Sequence, residues 1–271
     1  MSNLALRFIT GIIGASLVIF SIIWSESTFL LLLMLITSLS LAEFYKLCRQ
    51  EGFRPQARFG VIAGITPFIA PLLQSAFGIS LNLAALLILL PFIIFIRELY
   101  KAEEKPFINI AYTLLGFVYI TLPLFLFYLY SSTGKNDSSY NFDNILGFFF
   151  ILWAGDTGAY FAGKHLGKHK LFERISPKKT WEGFFGGLVL GMIMAYVCSL
   201  LSDNFTLEQW LITGLIILLV SPLGDLVESM FKRSINIKDS GSLLPGHGGF
   251  LDRFDGLLIS APFVFVYHIL F

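Results

Sequence analysis

Charge is scarce in this chain. Only 14% of its 271 residues are Asp, Glu, Lys or Arg, against about 25% in a soluble domain, and that excludes an ordinary water-soluble globular protein. Cysteine is scarcer still: Cys48 and Cys198 are the two present, both at or inside apolar runs and without metal-type spacing. Nothing in that placement points to a thiolate metal site, and both thiols read as small buried hydrophobes. Segments of about ten residues with alternating polarity, the mark of a membrane β-barrel, are also missing. No low-complexity tract, soluble domain or internal repeat stands out.

Apolar length is what the chain has in abundance. Hydrophobic residues make up 56% of it and the mean hydropathy is +0.76. They fall into nine runs, roughly 7–24, 28–47, 60–78, 81–97, 107–130, 144–163, 182–201, 207–225 and 256–271. Crossing a hydrocarbon core takes about 20 helical residues at about 1.5 Å each, and runs that are apolar all round with internal Gly and Pro are tolerated there as helices. The expected fold is an all-α polytopic integral membrane protein of about nine transmembrane helices. The first run follows Arg7 as the apolar core of a secretory signal would. However, Trp24-Ser25-Glu26-Ser27 offers no small-x-small cleavage site and a second run follows directly, so it is kept as a span.

The basic residues orient the bundle. With the N-terminus in the cytoplasm, the connections 46–59, 97–106, 164–181 and 226–255, together with Arg7, hold 18 of the 19 Lys and Arg, leaving Lys135 outside. The opposite topology would violate the translocation bias against Lys and Arg almost completely. The loop 131–143, SSTGKNDSSYNFD, is then external and reads as a flexible connection without chemistry. Residues 1–145 are expected to complete the bundle, and 146–271 to hold the two long charged internal loops.

Lys232, Arg233 and Lys238 alone would fit the orientation bias. The aspartates do not. Asp225 ends a 19-residue apolar run, where a carboxylate at mid-bilayer costs about 2.5–3.5 kcal/mol and less near the interface. On a helix, Asp225, Glu228, Ser229, Lys232 and Arg233 fall along one stripe. Asp252 and Asp255 form a second i, i+3 pair where the last run begins. Pro245-Gly246-His247-Gly248-Gly249 between them is too rich in glycine to be helical and lets the loop fold back toward Asp225.

Three carboxylates without Cys or paired His make a hard-oxygen site suited to Mg²⁺ and phosphate oxygens, and Lys232, Arg233, Lys238 and Arg253 supply cations for further phosphates. The combination points to metal-assisted phosphoryl or nucleotidyl transfer at the cytoplasmic interface, with an internal salt-bridge network as the bland alternative. The other internal loop repeats the theme. Asp156, Tyr160 and Lys164 share a helical face, and in 176–187 Ser176 is expected to N-cap a helix beginning at Pro177. Lys178 and Lys179 fit headgroup anchoring and substrate binding equally. His247 fits a loop-ordering hydrogen bond or a phosphate contact, whereas His165, His169 and His268 look unremarkable.

The run Ser229-x-x-Lys232-Arg233, then Lys238-Asp239, then Pro245-x-His247-Gly248-Gly249-x-x-Asp252-Arg253-x-Asp255 resembles the signature of phosphatidate cytidylyltransferases, also called CDP-diacylglycerol synthases. The resemblance extends to Gly155-Asp156-Thr157-Gly158-Ala159-Tyr160, to 176–183 and to 224–229, and over the first 145 residues it amounts only to shared hydrophobic spans. It implies an integral membrane enzyme, Mg²⁺-dependent and homodimeric, that makes CDP-diacylglycerol and pyrophosphate from CTP and phosphatidate. The implied metal ligands are Asp225, Asp252 and Asp255, with K⁺ beside the Mg²⁺. Lys232 and Arg233 join these aspartates as catalytic residues. Asp156, Lys178, Lys179, Ser229, Lys238, Asp239, His247, Gly248, Gly249 and Arg253 are the candidate substrate-binding residues. No nucleic-acid partner is expected, and the bacterial inner membrane is the expected location. Two alternatives remain: a CTP-dependent lipid kinase of the polyprenol or phytol type, which would need a base for its alcohol, and an ion-coupled transporter using Asp156 and Asp225 within the membrane.

Overall fold

The structure is a computed structural model that describes residues 3–80, 84–101, 103–135, 140–235, 237 and 249–271. Lys238, Asp239, His247 and Gly248 lie outside the described residues. Over the described residues, each of the nine apolar runs coincides with helix: α1 (Asn3–Trp24), α2 (Glu26–Gln50), α3 (Ala57–Phe77), α4 (Ala84–Leu99), α5 and α6 (Pro106–Gly116 and Leu122–Tyr130), α7 (Phe142–Leu166), α8 (Trp181–Leu201), α9 (Leu207–Ser234) and α10 (Asp255–Leu270). A π-helical turn, Phe117–Thr121, joins α5 to α6. Among the described residues, six of these helical stretches are long and apolar enough to cross a membrane, counting Pro106–Tyr130 as one. The protein is an all-α integral membrane protein.

The ends of the helices follow from local chemistry. Ser25 and Thr28 form a reciprocal cap at the start of α2, and Thr206 and Gln209 do the same for α9, each satisfying amides that the first turn leaves without partners. Gly78 closes α3 in the left-handed conformation at φ +67°, which costs glycine little.

The chain packs as two compact units, residues 1–125 with 239–253, and 126–238 with 254–271. In the first, α2 packs against α1, α3 and α5, and Phe29, Leu33, Leu41, Phe44 and Tyr45 of α2 are fully or almost fully buried. Cys48 and Cys198 are both free and buried, as expected. In the second, α7 packs closely along α8, and α9 packs on α8 and α10. Small residues allow this contact: a methyl at Gly187 would lie 2.7 Å from the Gly155 carbonyl oxygen. Such small-residue stripes let helices approach backbone to backbone in lipid.

Two expectations need correction. Residues 164–181 are not a plain loop, because α7 runs on to Leu166 and Lys170–Phe172 (β1) pairs antiparallel with Ser176–Thr180 (β2). Ser176 therefore caps no helix. Thr180 is the N-cap of α8, its hydroxyl accepting from Gly183 N–H at 3.2 Å. The Ser-Pro pair mimics a cap and first helical position, but extended pairing with β1 holds the Ser176 backbone in a strand.

Candidate active site

In the second unit α9 carries the stripe anticipated from the sequence. Asp225, Glu228, Ser229, Lys232 and Arg233 all lie on it, and α10 begins at Asp255. Oxygens of Asp225, Glu228 and Asp255 lie within 4.8 Å of one another. Gly224 permits the approach: a methyl there would collide with the Asp255 carbonyl and sit 3.0 Å from Gly256 Cα. Asp255 Oδ1 accepts from Gly256 N–H at 2.6 Å, which turns its carboxylate back over the first turn of α10.

Two ammonium groups border these three carboxylates. Lys179, brought in on β2, places Nζ 2.8 Å from Asp225 Oδ2 and donates to the Pro222 carbonyl, also at 2.8 Å. Lys232 Nζ lies 3.2 Å from Glu228 Oε2, one turn back along α9. Ser229 donates to Asp225 Oδ1 at 3.3 Å. Asp156 on α7 is within electrostatic range of Lys179 and Asp225. Glu228 is almost completely buried while Asp225 stays partly exposed, so the cluster has an open side. Three carboxylates against two ammonium groups leave a surplus of negative charge, and an all-oxygen set of this kind fits a hard divalent cation.

The strand pair fixes how Lys179 is presented. Glu182, in the first turn of α8, accepts from the Lys168 and His169 amides at 3.0 and 3.2 Å, and its Oε1 lies 2.6 Å from His169 Nδ1. Trp181 N–H donates to the His169 carbonyl at 3.0 Å. These bonds tie the start of β1 to the end of β2, leaving Lys178 exposed and Lys179 half-buried beside Asp225.

Gly249, Asp252 and Arg253 of the signature belong to the first unit. A 3₁₀ turn, Leu251–Arg253, carries Asp252 and Arg253. Gly249 N–H donates to Asp252 Oδ2 at 3.2 Å, and Arg253 is exposed.

Residues 5–271 match the sequence profile of the cytidylyltransferase family. The chain belongs to that family. Among relatives of this cytidylyltransferase-family chain, a phosphatidate cytidylyltransferase of Bacillus subtilis is 33% identical over 272 residues, covering 98% of this chain and 97% of that one. A phosphatidate cytidylyltransferase of Staphylococcus haemolyticus is 34% identical, over 94% of this chain and 95% of its own. One from Staphylococcus aureus strain COL reaches 42% over 178 residues, 65% of each.

Sequence reasoning placed Glu228 on the stripe without giving it a site role, and left Lys179 undecided between lipid and substrate. The spacing of Glu228, three residues after Asp225, was the available signal. The pairing of Lys179 with Asp225 arises from tertiary packing across 46 positions of sequence and had none.

Proposed function

We propose that this chain catalyses cytidylyl transfer from CTP to phosphatidate, giving CDP-diacylglycerol and pyrophosphate for phospholipid synthesis. The observation that carries the reading is the Asp225, Glu228 and Asp255 cluster, flanked by Lys179 and Lys232, in a chain of the cytidylyltransferase family.

The second pKa of a phosphomonoester is near 6, so phosphatidate is mostly a dianion at neutral pH and needs no general base. Its phosphate oxygen bonds to the α-phosphorus of CTP, and the bond from that phosphorus to the oxygen bridging the β-phosphorus breaks. The electron pair leaves with pyrophosphate. The obstacle is an anion approaching a polyanion, which calls for positioning and charge neutralisation. Asp225 and Asp255, with Glu228 beside them, would hold Mg²⁺; Asp252 joins this set on the strength of the family signature, as does K⁺. Bound there, the metal would supply charge stabilisation for the triphosphate and the departing pyrophosphate. Lys179, Lys232 and Arg233 would hold phosphates, with Lys178, Lys238 and Arg253 as further candidates, and the Ser229 hydroxyl orients Asp225.

The same reading includes nine spans, a cytoplasmic N-terminus and site, the bacterial inner membrane and a homodimer. It is supported by the one-sided distribution of Lys and Arg and by the solubility of CTP in the cytoplasm. The test uses purified protein in detergent with phosphatidate, Mg²⁺ and CTP labelled separately at the α- and γ-phosphorus. Label from the α position is expected in lipid and γ label in pyrophosphate. Lipid labelled from the γ position with an alcohol acceptor would establish a kinase, and transfer of neither label would overturn the enzymatic reading.

A further inference from the structure

Within the first unit, Glu43 of α2 is buried at 5% exposure in a helix that is otherwise largely apolar. Its Oε2 accepts two backbone hydrogen bonds from 207 and 208 residues away: Phe250 N–H at 2.7 Å and Leu251 N–H at 2.9 Å. These amides open the 3₁₀ turn Leu251–Arg253, where a first turn leaves its N–H groups without internal partners. Leu251 is fully buried, so water does not replace the carboxylate there. Asp252, the next residue, closes the turn from the other side by accepting from Gly249 N–H.

A buried carboxylate is an expensive way to hold a helix and a turn together. No salt bridge joins Glu43 to a cation among the described residues, and its Oε1 is buried with no hydrogen-bond partner there. An apolar side chain would fill the same space without the desolvation cost. What the carboxylate adds is a charge-assisted clamp on two particular amides, which fixes the backbone from which Asp252 projects.

We propose that Glu43 is a positioning residue for the signature turn, holding Asp252 in the orientation that metal binding requires. The inference rests on the assignment of Asp252 to the metal site. It also gives the first half of the chain a part in the chemistry that its hydrophobic sequence does not disclose. Partners that orient a ligand are typically worth about 10- to 100-fold in metal affinity.

The test measures Mn²⁺ binding by electron paramagnetic resonance, and the Mg²⁺ half-saturation of cytidylyl transfer, on the full chain in detergent. Wild type is compared with Glu43→Ala, Glu43→Asp, Glu43→Gln and Asp252→Asn. Glu43→Ala is expected to weaken Mn²⁺ binding and raise the Mg²⁺ half-saturation about 10- to 100-fold with the KM for phosphatidate little changed. Glu43→Gln keeps an acceptor oxygen at the same reach and is expected to recover most of the loss. Glu43→Asp, one methylene short, is expected to fall between, and it carries the test should the alanine variant not fold. Unaltered metal binding in folded Glu43→Ala or Glu43→Asp, beside weakened binding in Asp252→Asn, would overturn the positioning role alone. Unaltered binding in Asp252→Asn would instead remove the metal assignment on which the role rests.

Discussion

Asp225 is the residue on which most of the site converges. It takes a hydrogen bond from Ser229, a salt bridge from Lys179, and lies in the carboxylate cluster with Glu228 and Asp255. Asparagine matches aspartate in shape and removes only the charge. Asp225→Asn and Asp255→Asn are therefore expected to lower kcat by about 10²-fold or more while thermal unfolding and elution from a sizing column stay close to wild type. Near-normal turnover of either variant at limiting Mg²⁺ would remove that residue from the metal site. At this scale the sequence discloses charge better than it discloses partners. Asp225 and Asp255 are legible because carboxylates beside apolar runs are costly. Glu43 is not, since a Glu close to Lys46 and Arg49 at the end of a span looks like an ordinary interfacial residue and its partners are backbone amides. No side-chain pattern encodes those.

Among the elements, α9 and α10 decide whether the cluster exists, and Gly224 decides how near they come. A methyl at 224 would meet the backbone of Asp255 and Gly256, neither of which can rotate away as a flexible side chain would. Gly224→Ala is expected to destabilise the protein by about 1–3 kcal/mol, as overpacking does, and to cost more activity than stability because the strain falls on the Asp255 backbone. Thermal unfolding measured beside kcat in detergent checks this; wild-type values of both would mean that the helices separate at no cost. Helices were readable at this level because all-round apolarity over about 20 residues has few other solutions in lipid. The strand pair at 170–180 was not. Its strands have three and five residues, rich in Lys and without alternation, and they are held largely by Glu182 and backbone bonds at their base.

For the whole molecule, the expected orientation has a direct chemical readout. Cys48 and Cys198 are buried, so background labelling by a membrane-impermeant maleimide should be low. Lys135→Cys, exposed in the segment expected outside, is expected to react in intact cells, whereas Lys170→Cys, exposed on β1, should react only after permeabilisation. The reverse pattern would invert the topology. The first unit is discontinuous, taking residues 239–253 from beyond α9. That discontinuity also bears on biogenesis. Glu43 emerges 207 residues before Phe250, a delay of about 10–40 s at about 5–20 residues per second of synthesis. For that interval the first unit exists without the amides that clamp its buried carboxylate. Translation of the intervening helices thus sets the window in which insertion machinery and quality-control proteases meet an unfinished fold.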